Sequence, residues 1–135
     1  MGIKVVIVAA LLCSLVSICC ATAGKAGHAD TFMPSKKCPD IKNPGKFTVA
    51  VNSQIISNRG YYCGDGMRVM CGVNGNKPYC KHAKFVDVKL VAECTPEQCP
   101  GENDIILSKE AFSDIANISE QKIDVGWTHA ILKMH

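Results

Sequence analysis

Six cysteines, Cys38, Cys63, Cys71, Cys80, Cys94 and Cys99, limit what this chain can become more than any other feature. Cys13, Cys19 and Cys20 lie apart from them, in a leader of different character. Met1 to Lys4 is a short, positively charged start, and Val5 to Cys20 is nearly unbroken apolar sequence. Ala21-Thr22-Ala23 then places small residues at the −3 and −1 positions of a signal-peptidase site, so residues 1–23 read as a signal peptide cleaved after Ala23. A membrane anchor needs about 20 apolar residues or more with a flanking charge cluster, and this run ends in the small-residue site instead. The expectation is a secreted, extracellular protein with no membrane insertion. An even set of six cysteines in a short secreted chain is a disulfide framework. The rival is a metal site, but no Cys-x-x-Cys pair exists and His82 and His129 lie at no ligand spacing, so no metal or other cofactor is expected. Which cysteine pairs with which stays open at this point.

Beyond the leader there is room for one domain. Residues 24–46 are rich in Gly, Lys and Pro without clear periodicity and read as a loose N-terminal lead-in, leaving 47–135 for the folded domain. Charge excludes more than it implies. Fifteen basic side chains against 12 acidic ones give a small positive excess, with lysines scattered and no basic stripe interleaved with aromatics. That speaks against nucleic acid as a partner. Mild basicity suits an extracellular matrix of acidic polysaccharide, though solubility accounts for it equally well.

Period-two patterning dominates the domain. Phe47 to Val51 reads as a strand, and Met67-Arg68-Val69-Met70-Cys71 puts Met67, Val69 and Cys71 on one face. From Phe85 to Ala92, Val86, Val88, Leu90 and Ala92 face one way while Asp87 and Lys89 face the other. Ile123, Val125 and Trp127 alternate with Lys122, Asp124 and Gly126. Gly64-Asp65-Gly66 and residues 72–76 carry turn chemistry. One helix interrupts the strands: Ser108 caps it, Leu107 and Phe112 form a hydrophobic staple, Ala111, Phe112, Ile115 and Ala116 make its apolar stripe, and Asn117 ends it. Several short strands with Gly-rich turns and one short helix argue for a small all-β barrel.

The order of these blocks resembles a known family. Tyr62-Cys63-Gly64-Asp65-Gly66-Met67-Arg68-Val69-Met70-Cys71 is similar to the Cys-Gly … Tyr-x-Val-x-Cys block of the plant natriuretic peptides, expansin-related secreted proteins whose domain is similar to a family-45 endoglucanase. Val86 to Cys94 resembles their Val-x-Val-Lys-Ile-Val-Asp-x-Cys strand, Ile106 to Ala116 their Asp-Leu-Ser-x-Glu-Ala-Phe-x-x-Ile-Ala block, and Gln121 to Val125 their closing Gly-Lys-Ile-x-Ile strand. All six cysteines fall in the family's order. The resemblance covers residues 45 to 128 and implies a six-stranded double-psi β-barrel with one short helix, stabilised by disulfides. Kiwellins, which share that barrel, carry a Trp in the last strand as at Trp127. Two departures lie near the N-terminus. The family's opening Gly-Thr-Ala-Thr-Phe-Tyr is only faintly echoed by Gly27 to Phe32, and its Ala-Ala-Ser-Asp segment appears as Val49 to Ser53.

Glycoside cleavage generally needs two carboxyl groups. In the lytic relatives these look like the Asp of Val-Asp-x-Cys and the Asp before Leu-Ser, and the matching positions here hold Ala92 and Ile106. Neither side chain moves a proton, so no enzyme is expected and no catalytic residue is assigned. Glu93 and Asp104 are the nearest acids; parity along the strand turns Glu93 away from Ala92, and Asp104 lies two residues before Ile106. For binding, the candidates are Tyr61 and Tyr79 as flat rings, with Asp65, Arg68 and Asp104 as polar groups of a groove. Packing beside the disulfides is the other reading of the tyrosines, favoured for Tyr62, and core packing is favoured for Trp127. Asn117-Ile118-Ser119 is a glycosylation sequon. What the resemblance implies is a monomeric, non-lytic apoplastic signal for water and solute balance, acting through a cell-surface receptor. The alternatives are a module that binds cell-wall polysaccharide, or a kiwellin-like defence protein that grips a pathogen enzyme.

Overall fold

In the computed structural model, which describes residues 21–30, 37–72, 77–81 and 84–132, the chain runs β1 (Thr22–Ala29), β2 (Thr48–Val51), α1 (Ser53–Arg59), β3 (Gly66–Cys71), β4 (Phe85–Glu93), β5 (Ile105–Ser108), α2 (Lys109–Ile115) and β6 (Ile123–Ala130). The strands close into a barrel in the order β1-β5-β2-β4-β3-β6. β1 with β5 and β2 with β4 run parallel; the other four contacts are antiparallel. This is the closed six-stranded barrel that the motif order implied. Most of the signal peptide and the turn at 73–76 lie outside the described residues, as do His82 and His135.

Inward-facing apolar residues fill the barrel as the alternation requires. Val86, Val88 and Leu90 of β4 meet Met67 and Val69 of β3 and Ile123, Val125 and Trp127 of β6 in one core. α2 covers one side through Ala111, Phe112 and Ile115, all fully buried. Ser108 caps it, its Oγ accepting from the amides of Ala111 and Thr48. Leu107 and Phe112 are both fully buried, as the staple requires.

Three features depart from the sequence reading. The lead-in expected over 24–46 opens with β1, which begins at Thr22, so a cut after Ala23 would trim two residues from a barrel strand. β1 went unseen because it is built of small residues. A Cβ on Gly24 would stand 2.0 Å from the carbonyl oxygen of Asn103, so the strand fits only without side chains there. β5 is buried at all four positions, and such a short apolar run carries no period to distinguish it. Finally there are two helices among the described residues, not one. Asn52 caps α1 by accepting from the amide of Gln54, and Gly60 ends it at φ 72°.

The three disulfides settle the pairing: Cys38–Cys63, Cys71–Cys80 and Cys94–Cys99, each joining neighbours in the order of cysteines.

Candidate functional site

Ala50 of β2 stands opposite Ala92 on β4 and Ile106 on β5, so these three residues form a row across three strands. With Val91, Cys94 and Cys99 they make a second apolar cluster, separate from the barrel interior, on which Ala29 and Ile41 also pack. Ala92 is 5% and Ile106 8% exposed. The partner of β2 jumps from Leu90 at Val49 to Ala92 at Ala50, leaving Val91 as an extra residue in β4, a bulge that lets Val91 and Ala92 bury side by side. Ala92 and Ile106 are thus two members of a small hydrophobic core. Asp104 is spent on a turn: its Oδ2 accepts from the amide of Gly101 at 2.8 Å, and its own amide donates back to the Gly101 carbonyl at 3.0 Å. Glu93 has the Lys37 ammonium 3.8 Å away.

Asp65 and Arg68 come together in a groove of about 1000 Å³ on the outer face of β3 and β4. Pairing of these strands sets Arg68 opposite Asp87. The guanidinium donates to both carboxylate oxygens, Nε to Oδ1 at 2.8 Å and Nη2 to Oδ2 at 3.0 Å. It also lies 4.0 Å from the centre of the Phe85 ring. Hydrogen bonding to Asp87 holds the Arg68 pKa above even its ordinary high value. Lys89 continues the floor, and Lys46, Phe47 and Ile131 form the walls. At one end Asp65 locks the turn around Gly64, which has φ 91°: its carboxylate accepts from the amide of Tyr62 at 2.8 Å. His129 Nε2 lies 3.9 Å from the same oxygen.

The tyrosines do not line this groove. Tyr61 is 2% exposed, stacked on His129 at 3.5 Å between ring centres and edge-on to Trp127 at 5.4 Å, so it plugs one end of the barrel. Burial and then the charge of Asp65 push its pKa up to about 12. Trp127 is core, as its alternation indicated, and its Nε1 has no acceptor among the described residues. Tyr62, expected to pack, is instead 72% exposed. Tyr79 is bound at the other end of β6: its hydroxyl accepts from the amide of Asp124, six residues from the Ala130 that faces Gly66, about 20 Å along a strand. It lines a separate hollow of about 340 Å³ together with Asn117, which is exposed and whose Oδ1 accepts from the amide of Ser119. Sequence reasoning passed over Phe47 and Phe85 as strand residues. Their half-exposed rings, 42% and 51%, were legible only as the outward phase of the β4 alternation at Phe85. Among the described residues no cluster of His, Cys, Asp and Glu could hold a metal ion, and no helix is long and apolar enough to cross a membrane.

No family model matches the chain. It is 34% identical over 133 residues to an EG45-like domain containing protein from Citrus jambhiri, covering 96% of this chain and 98% of that one. Among solved structures it is similar to the ligand-free expansin of Clavibacter michiganensis, with a TM-score of 0.61 and 20% identity over 85% of this chain. A mutant of the C. michiganensis expansin in complex with cellohexaose gives a TM-score of 0.57 at the same identity and coverage. The chain spans about half the length of either expansin, 52%, and at such identity the likeness concerns the barrel fold. Near-complete two-way coverage at 34% identity, on a closed six-stranded barrel with three disulfides, places the chain in the family of EG45-like domain proteins.

Proposed function

We propose that this protein is a secreted, non-lytic component of the cell wall that binds wall polysaccharide. One observation carries the reading: the row Ala50, Ala92 and Ile106, whose last two members the motif resemblance aligns with the acids of lytic relatives, is buried and apolar, while an open groove elsewhere presents aromatic and charged groups. The complex of a structurally similar expansin with cellohexaose supports carbohydrate as the ligand class, and the three disulfides support an oxidising, extracellular setting. The exposed sequon at Asn117 is offered for glycosylation on the same route; loss of a glycosidase-sensitive mass on Asn117→Gln tests it.

Sedimentation of the purified protein with cellulose, xylan and pectin tests the function, with reducing-sugar release measured in the same tubes. Co-sedimentation with background release is expected. Sugar release that disappears in Asp104→Asn would overturn the non-lytic reading, and failure to sediment with any wall polymer would overturn binding. The receptor-mediated signal implied by the likeness to natriuretic peptides is a separate proposal, read by protoplast swelling.

A further inference from the structure

The groove on β3 and β4 contains more positive charge than its own acids satisfy. Asp87 is taken by the two-pronged bond from Arg68. Asp65, which keeps its charge, accepts from the neutral Tyr62 amide and pairs with neither lysine of the groove, so three cations face two acids. That leaves Lys46 and Lys89, and among the described residues no carboxylate pairs with either ammonium. Both line the groove together with the half-exposed Phe47: Lys46 precedes it in the chain, and the Lys89 backbone is held to the Phe47 backbone by an amide-to-carbonyl bond of 3.0 Å. A flat apolar face that shares a groove with two unpaired cations is complementary to a sugar ring that carries a carboxylate. The ring face stacks on the aromatic, and the carboxylate reaches an ammonium. A neutral glucan would stack on the aromatic and offer the lysines only hydroxyl acceptors, without the stronger charge-assisted bond.

From this placement we infer that the groove takes an acidic polysaccharide, a chain of uronate sugars, with Phe47 as the stacking platform and Lys46 and Lys89 as the carboxylate contacts. The inference rests on the polysaccharide-binding reading and specifies its ligand.

Titration calorimetry of the whole secreted protein with hexagalacturonate, cellohexaose and poly-glutamate tests it. Hexagalacturonate should bind tightest, and binding should weaken as salt rises because the contacts are exposed ion pairs. Lys46→Gln and Lys89→Gln should each weaken it by up to about fivefold, the scale of an exposed ion pair. Phe47→Ala should weaken it by about 2- to 10-fold, the scale of an aromatic contact, at low and high salt alike. Lys109→Gln, on α2 away from the groove, should change nothing. Equal or tighter binding of cellohexaose, unmoved by the lysine variants, would overturn the inference and leave polysaccharide binding standing. Equal binding of poly-glutamate would overturn it by revealing an unselective cationic surface. If neither sugar binds, the inference falls, and the sedimentation with cellulose, xylan and pectin decides the broader reading.

Discussion

Tyr61 shows how much a single residue's surroundings decide. It is next to Tyr62 in sequence, yet one ring is sealed against His129 and Trp127 while the other faces water. Nothing in Tyr61-Tyr62-Cys63 distinguishes them, because which ring enters the barrel is set by the turn that Asp65 closes on the Tyr62 amide, a contact of the folded state. The buried phenol has a consequence at high pH. Its folded pKa of about 12 exceeds the ordinary 10.0, so between those values the unfolded chain has already released a proton that the folded one keeps. The stability Tyr61 contributes is therefore full below about pH 10 and is lost as pH rises to about 12. Urea denaturation at pH 8 and pH 11 should show a larger loss for the natural protein than for Tyr61→Phe. Equal losses would mean that the hydroxyl is not withdrawn from water. Arg68 was legible as outward-facing because it alternates with the buried Met67 and Val69, whereas Asp65 sits in the turn before β3, out of that phase, and reaches the same groove only through the turn it closes on the Tyr62 amide. Lys89 was legible as outward-facing but not as part of that groove, since its place depends on strand pairing.

At the level of elements, the strands with alternating apolar residues could be read directly, and those without could not. β1 is silent in sequence because its position rewards smallness. Gly24→Ala drives a methyl into the Asn103 carbonyl and should cost about 1–3 kcal/mol, the scale of overpacking. Gly27→Ala meets its first neighbour, the Gln121 carbonyl oxygen, at an ordinary 3.6 Å and should stay within about 0.5 kcal/mol. Denaturant midpoints of the two variants check the contrast, and equal effects would show that the Asn103 loop yields. α1 was missed because it buries only Ile55, which gives no stripe to read. Its cap does more than start a helix. Asn52 Nδ2 donates to the carbonyls of Cys99 at 2.7 Å and Gly101 at 2.9 Å, tying α1 to the loop that precedes β5. Asn52→Ala should lose about 2–4 kcal/mol, a cap and two further hydrogen bonds. Asn52→Asp keeps the cap but sets a carboxylate oxygen against both carbonyls, and should cost at least as much as Asn52→Ala. Urea denaturation again measures both; an Asn52→Asp variant as stable as the natural protein would argue against the tie to the loop.

The whole molecule is a ring of strands pinned by three bridges of unequal reach. Cys38–Cys63 spans 25 residues, Cys71–Cys80 spans 9 and Cys94–Cys99 spans 5. Loop-closure entropy ranks them at about 3.5, 2.6 and 2.1 kcal/mol, so replacing the first pair by Ala should lower the denaturation midpoint most. A larger loss on removing Cys94 and Cys99 would instead point to their packing beside Ala92 and Ile106 as the dominant effect. The cysteine count announced such bridges, and the partners became visible only with the strands that bring them together. Because β6 is hydrogen-bonded to both β1 and β3, the ring has no seam until residue 130 has arrived. Every bridge lies upstream of that strand. During synthesis the thiols can therefore meet and oxidise on an open, unsealed sheet. None of the bridges needs the last strand, so a truncation before β6 should still yield an oxidised protein, one that lacks a closed wall.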